Sequence, residues 1–219
     1  MQERVEFDLA ESDDAEGMVR LIAAAFSTSE PLALAMGLSA SEMEGFLQPM
    51  MPAAMAEGLT IVARLKSTGE LAGALLNDDF ASPLPVDPGR LGTKALPIIS
   101  LLEMLEEHYR IGRTIAPGEC LHLFMLAAEQ RWKGCGIGRG LVEASLENAV
   151  RKGYRMTMTE ATAGASQHIF RKLGFRDRFT VPYRDFTYED RVAFGSIQDP
   201  SAAILMDKSL LDRPDQAMP

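Results

Sequence analysis

Residues 128–142 read AEQRWKGCGIGRGLV, in which Gly134, Gly136, Gly138 and Gly140 alternate just before an apolar helical pattern begins. Glycine weakens a helix interior by about 1 kcal/mol relative to alanine. Four of them at a helix start therefore need a reason beyond a turn. A strand, a glycine-rich turn and a helix N-terminus together present free backbone N–H groups and the positive end of the helix dipole, which is an anion site. No GxxxxGK[ST] loop is present, and GxGxxG fails because its last position falls on Arg139 or Leu141. The loop also lies mid-chain, after four candidate strands, where a first-strand nucleotide fold would not place it. Three further residues carry chemistry. Glu30 precedes Pro31 at a bend that could aim a carboxylate inward; a surface-loop acid is the alternative. His122 sits in the apolar run CLHLFMLAA, in register with Phe124 and Leu126; a satisfied structural histidine is the alternative. Ser166 opens a short helical stretch, where it would also serve as an N-cap.

The surrounding pattern supplies the elements that must hold these groups. ERVEFDL (3–9) alternates like a strand. Asp13 and Glu16 have capping-box spacing ahead of a helix with Met18, Leu21, Ile22, Ala25 and Phe26 on one face. Residues 27–58, rich in Met, Ala and Pro, read as short helices. GLTIVARL (58–65) and LAGALLND (71–78) read as strands around a polar turn, and the prolines of 81–89 demand a loop. A helix near 94–112 carries Ile98, Leu101, Leu102, Leu105 and Tyr109 on one stripe. Residues 120–128 form a nearly continuous apolar run, as in a strand covered on both faces. The glycine loop then opens a helix marked by Leu141, Val142, Leu146, Ala149 and Val150. YRMTMTEA (154–161) is a strand, SQHIFRKLGF (166–175) a short helix, and 178–188 and 202–209 are late strands. The expectation is one α/β (α+β) domain over 3–209, with a frayed tail over 210–219.

The chain has 219 residues and a formal net charge of −9, which disfavours nucleic acid and anionic lipid and mildly favours cationic ligands. Cys120 and Cys135 are the only cysteines, with three histidines, and they make no zinc pattern. The charged start is unlike a signal peptide, and no run reaches the ~18 apolar residues of a membrane span. A cytoplasmic protein with reduced thiols and no metal, nucleic acid or membrane partner is expected.

Lys133-Gly134-Cys135-Gly136-Ile137-Gly138 resembles the [QR]-x-x-G-x-[GA] pyrophosphate loop of the GNAT superfamily of N-acetyltransferases, with Lys133 where Arg or Gln is usual. Arg131 to Gly136 fits the pattern literally in a register two residues earlier. Phe170-Arg171-Lys172-Leu173-Gly174-Phe175 resembles the same family's (Y/F)xKLGF segment. Phe26 to Leu32, ending Glu30-Pro31-Leu32, is similar to a segment of arylalkylamine and dopamine N-acetyltransferase-like proteins, as are Tyr183 to Phe186 and Val192 to Phe194. The resemblance implies a GNAT fold: a central mixed sheet of about seven strands, splayed between strands 4 and 5 and flanked by helices. It implies acetyl-CoA as co-substrate, with Lys133 to Arg139 on the pyrophosphate. The pantetheine arm would lie along Leu126, Ala127 and Ala128, near Ser166 and Phe170.

Acetyl transfer to an amine must neutralise the ammonium, polarise the thioester carbonyl and release a thiolate. The resemblance makes Glu30 the candidate base, with His122 in place of one of two relay histidines and Phe124 in place of the other. Phe170 stands where many members carry an acid tyrosine; Ser166, eight residues before Gly174, matches a serine proposed to act in the insect-type members, and the resemblance makes it the acid candidate. Met36, Met43, Met50, Met51 and Met55 fall in the region that covers the acceptor in the family; ordinary core filling is the alternative. The resulting expectation is direct transfer from acetyl-CoA to a small primary amine, with an arylalkylamine among the candidates. A protein or peptide amine, or a non-catalytic acyl-CoA sensor, remains open, as does monomer or homodimer.

Overall fold

The computed structural model describes residues 4–211. Nine strands and seven α-helices follow in chain order: β1 Val5–Leu9, α1 Ala15–Ser29, α2 Pro31–Ala35, α3 Ala40–Leu47, α4 Met51–Glu57, β2 Ile61–Leu65, β3 Leu71–Asp79, α5 Leu96–Arg110, β4 Cys120–Ala128, α6 Ile137–Arg151, β5 Met156–Ala161, α7 Gly164–Lys172, β6 Arg176–Pro182, β7 Thr187–Tyr188, β8 Arg191–Val192 and β9 Ala202–Ser209. The segment expected to be one strand over 178–188 is the end of β6 followed by one arm of the small β7–β8 hairpin. The expected frayed tail lies outside the described residues from 212 onward. Leu210, at its start, is tied down, because its N–H donates to the Arg155 carbonyl at 2.8 Å.

Seven strands form one sheet in the order β1-β2-β3-β4-β5-β9-β6. Every neighbour is antiparallel except β4 and β5, which run parallel. That pair meets only over Cys120–His122 and Met156–Met158. Beyond it the strands part, and residues 123–128 of β4 keep ladder partners on the β3 side alone. One side-chain stitch crosses the start of the gap, where Thr159 Oγ1 donates to the Leu123 carbonyl at 2.9 Å. This is the splay expected between strands 4 and 5.

The sheet is covered on both faces, which is why β4 reads as a continuous apolar run. α6 and α7 close one face, where Leu141 of α6 packs with Leu75, Leu121 and Leu123 of the sheet. α1, α3 and α4 close the other over Ala74, Leu76, Met125 and Ala127, and α5 covers β6 and β9 beside them. Gly140 is a packing residue: a Cβ there would lie 2.2 Å from Phe7 Cζ, so its absence lets α6 approach β1. Met43, Met50 and Met51 are almost wholly buried in the core under α1. The Met-rich segment is therefore mainly core filling, with Met36 and Met55 only partly buried.

Two sequence expectations at helix starts are corrected. The capping box lies one turn earlier than expected, on the 3-10 turn Ser12–Asp14 ahead of α1: it joins Glu11 to Asp14, whose Oδ2 accepts from the Glu11 N–H at 2.8 Å and also pairs with Arg64; Asp14, at the N-cap of α1, makes no side-chain cap to that helix, and Asp13 and Glu16 do not form the expected box. α7 begins at Gly164 rather than at Ser166; its end after Lys172, where Gly174 at φ +85° turns the chain out, is the glycine stop the sequence carries.

Candidate active site

The glycine loop divides into two kinds of glycine. Gly134 and Gly136 adopt φ +82° and +83°, the left-handed region, with nothing within 4 Å of an added Cβ. They set the path of the chain and leave bare space above it. Gly138 and Gly140 instead lie against Ile169 and Phe7. Gly136 is the N-cap of α6, and no side chain caps this helix. The first-turn N–H groups of Ile137, Gly138 and Arg139 thus have no intrahelical partner and face the dipole's positive end outward. Arg131 pairs with Glu70 and Glu129, and Arg139 pairs with Glu143 at 2.9 Å, whereas exposed Lys133 makes no ion pair among the described residues. Cys135 is exposed and Cys120 buried, both as free thiols.

The open edge of β4 leads to this loop. A β-bulge shapes it: Leu76 pairs with Met125 and Asn77 with Leu123, so Phe124 is the extra residue. Phe124 and Met125 both pack on the α1 side, while Leu126 and Ala128 go to the α6 side. The expected shared register of His122, Phe124 and Leu126 therefore breaks after Phe124. A run in which nearly every residue is apolar gives no sign of such a slip.

Glu30 ends α1 and caps α2. Pro31 at the first helical position suits the bend. One carboxylate oxygen, Oε2, accepts from the Ala33 N–H at 2.6 Å; the other, Oε1, accepts from Thr162 Oγ1 at 2.8 Å. The residue is only half-buried, but its carboxylate is enclosed. Burial raises its pKa above the ordinary carboxylate value, and the bonds from Ala33 and Thr162 partly oppose that. Thr162 follows directly on β5, at the open end of the splay. Its carbonyl accepts from the Tyr183 hydroxyl at 2.6 Å. Tyr183 is fully buried, and burial, reinforced by the charge of Glu30, pushes its pKa up. Thr162 and Tyr183 were missed in the sequence because the Glu30–Thr162 contact spans 132 positions.

His122 sits in a different environment. Nδ1 lies 2.9 Å from Asp78 Oδ1 and Nε2 lies 2.9 Å from Glu160 Oε2, with all three side chains almost wholly buried. Burial alone would lower its pKa, but Glu160 and Asp78 together outweigh that and hold it well above 6.5. Both ring nitrogens of His122 are engaged, and its two carboxylate partners favour the imidazolium. Ser166 is not the N-cap of α7, a position held by Ala163; its hydroxyl donates back to the Ala163 carbonyl at 2.8 Å. Phe170 is 2% exposed and packs on Phe175 in the α6–α7 core. The structure thus brings Glu30 to the open end of the splay and holds His122 at its apex. The glycine loop lies just beyond the end of β4.

A family model described as "Acetyltransferase (GNAT) family" matches residues 54–175, more than half of the chain. The chain belongs to the acetyltransferase (GNAT) family. Solved structures agree on the fold. The C-terminal condensation domain of Ebony, in complex with beta-alanyl-dopamine, overlays with TM-score 0.87 at 18% identity, over 95% of this chain and 100% of that one. Arylalkylamine N-acetyltransferase 2 from Aedes aegypti gives 0.78 at 20% identity, over 94% and 99%. The Drosophila melanogaster polyamine N-acetyltransferase that forms N-acetylagmatine gives 0.65 at 17% identity, over 93% and 98%. Among the described residues of this GNAT protein, no helix is long and apolar enough to cross a membrane.

Proposed function

We propose that this GNAT protein transfers an acetyl group from acetyl-CoA to a small primary amine. The observation that carries the reading is the edge of β4 left open beyond His122, leading to the uncapped, glycine-lined start of α6. An extended thioester arm can pair with such an edge while its pyrophosphate meets the helix N-terminus. Lys133 and the N–H groups from Gly134 to Arg139 would hold the phosphates, with Leu126 to Ala128 along the arm. Names that specify arylalkylamines and polyamines among the structural neighbours support the acceptor class. Free Cys120 and Cys135 suit a reducing cytoplasm.

Glu30 is the proposed base. An amine with pKa near 10.4 is almost wholly protonated at pH 7, and Glu30, with its raised pKa, is suited to take that proton directly or through a water. The neutral nitrogen then attacks the thioester carbonyl, the C–S bond breaks, and the nitrogen's second proton goes to the departing thiolate as the amide forms. Ser166 remains the acid candidate, for its hydroxyl stands in the first turn of α7. The test is release of free CoA thiol from acetyl-CoA with a panel of primary amines. Amine-dependent release supports transfer. Tight acetyl-CoA binding with no turnover on any amine favours a non-catalytic acyl-CoA sensor, the second reading, which Phe170 favours because it has no phenol where many members carry one.

A further inference from the structure

We propose that Tyr183 is a positioning residue for the base: by bonding the Thr162 carbonyl it fixes the Thr162 hydroxyl against Glu30. The inference rests on the reading of Glu30 as the base and adds a residue that acts on it at one remove.

The starting observation is the turn that carries Thr162. β5 loses its β4 partner after Met158 and its β9 partner after Ala161, so residues 162–163 have no ladder partner. Backbone carbonyls at such a point need other donors. Here three consecutive ones are each met by a side chain. Gln167 Nε2 donates to Ala161 at 3.0 Å, Tyr183 Oη to Thr162 at 2.6 Å and Ser166 Oγ to Ala163 at 2.8 Å. Gln167 is itself buried and also donates to the Ala202 carbonyl at 2.8 Å, which ties the turn to β9. Gln167 and Ser166 belong to α7, which starts at this turn. Tyr183 comes from elsewhere: it follows β6, and β9 lies between β6 and β5 in the sheet.

The second observation is how firmly Tyr183 is held. It is fully buried, and its N–H donates to the Ser201 carbonyl at 3.0 Å. Its ring meets Phe194 edge-on at 5.9 Å, and Phe194 stacks on Phe186 at 5.5 Å. The phenol is therefore a fixed donor. On the other side of Thr162 stands Glu30, whose Oε2 is bonded by Ala33 within its own bend and whose Oε1 is bonded by Thr162. The Thr162 bond is thus the one that ties this carboxylate to the β5–α7 turn. Threonine is stiff at χ1, so the direction of its hydroxyl follows the backbone that Tyr183 holds. The titratable neighbour that feels the charge of Glu30 is Tyr183 itself.

The experiment reads Glu30 directly, by NMR titration of its carboxylate carbon, and its consequence, by the pH profile of kcat/KM. The variants are Tyr183→Phe, which removes the hydroxyl and keeps the ring, Thr162→Val, and both together. Displacing the Thr162 hydroxyl removes a donor to the ionised form of Glu30, so its titration should move to higher pH in each single variant. The double variant should move no further than Thr162→Val, because Tyr183 acts through Thr162. In Tyr183→Phe kcat should fall about tenfold or more while calorimetric acetyl-CoA affinity stays unchanged. An unmoved Glu30 titration in folded Tyr183→Phe, or a double variant that moves by the sum of the singles, overturns the proposal. If Tyr183→Phe does not fold, Phe194→Leu, which loosens the ring packed on Tyr183, takes its place under the same criteria. If the titration moves while the rate profile does not, the positioning stands and the base reading is what fails.

Discussion

Glu30 and His122 are the two groups with proton chemistry near the splay, and they are built in opposite ways. Glu30 stands where the chain bends from α1 to α2, with one backbone and one hydroxyl donor and no cation on its carboxylate. Its proton affinity is raised by enclosure alone. His122 is placed where β4 and β5 stop pairing, and two buried carboxylates grip both its nitrogens. A base needs a free lone pair near the working pH. Glu30 retains that capacity, whereas both nitrogens of His122 are engaged by carboxylates that favour its charged form. The same carboxylates that would tune a histidine here instead make it a clasp across β3, β4 and β5 at the point where backbone bonding ends.

The comparison breaks most easily at Glu30. Glu30→Ala should lower turnover by about 10²–10⁴ with acetyl-CoA binding retained. A larger loss in a folded His122→Asn variant would return the proton role to the histidine.

The next effect concerns the donor loop. Gly136→Val should weaken acetyl-CoA binding about tenfold or more by calorimetry. Because Gly136 sits at φ +83°, the variant also carries backbone strain, so its melting temperature must be measured alongside. Gly140→Ala is the control. It crowds Phe7 and should destabilise the fold by about 1–3 kcal/mol. If Gly140→Ala weakens acetyl-CoA as much as Gly136→Val does, the loop has no special anion role.

These two regions also differ in how far they can be read from the sequence. The strand, glycine loop and helix start are consecutive, and each demands a local backbone conformation, so residue type reveals them. The proposed acceptor side is assembled from α1, β3, β5 and the residues just after β5 and β6, and nothing in Thr162, Tyr183, Asp78 or Glu160 taken alone marks it. The start of α7 was misplaced for a local reason: Ala163 and Gly164 carry no capping side chain, so Ser166 looked like the cap. The bulge at Phe124 was invisible because its neighbours are apolar on either face.

Smaller effects sharpen the contrast. Thr162→Val removes a donor to the ionised form of Glu30, so the acid limb of kcat/KM should move to higher pH, and Thr162→Ser should restore it. An unmoved limb in Thr162→Val would show that this hydroxyl does not tune the base. For His122 the expected result is persistence of charge. A histidine with a raised folded pKa adds stability that is fully present below its unfolded value near 6.5 and is lost only as pH rises through the folded value. NMR should find the His122 ring protonated at pH 8, whereas titration near 6.5 would contradict the clasp. Phe170→Tyr is expected to change least in rate: the ring is buried among apolar neighbours, so an added hydroxyl should lower the melting temperature without raising kcat.

The pH profile of kcat/KM for wild type and Glu30→Gln, with acetyl-CoA and a primary amine, tests the central claim most directly. The account predicts one rising limb in wild type, from Glu30 above the usual carboxylate range of about 4.3, leading to a plateau that extends up to the amine's own pKa near 10.4. In Glu30→Gln the lower limb should vanish and the plateau fall by about 10² or more. A lower limb that survives in Glu30→Gln would mean that another group removes the proton.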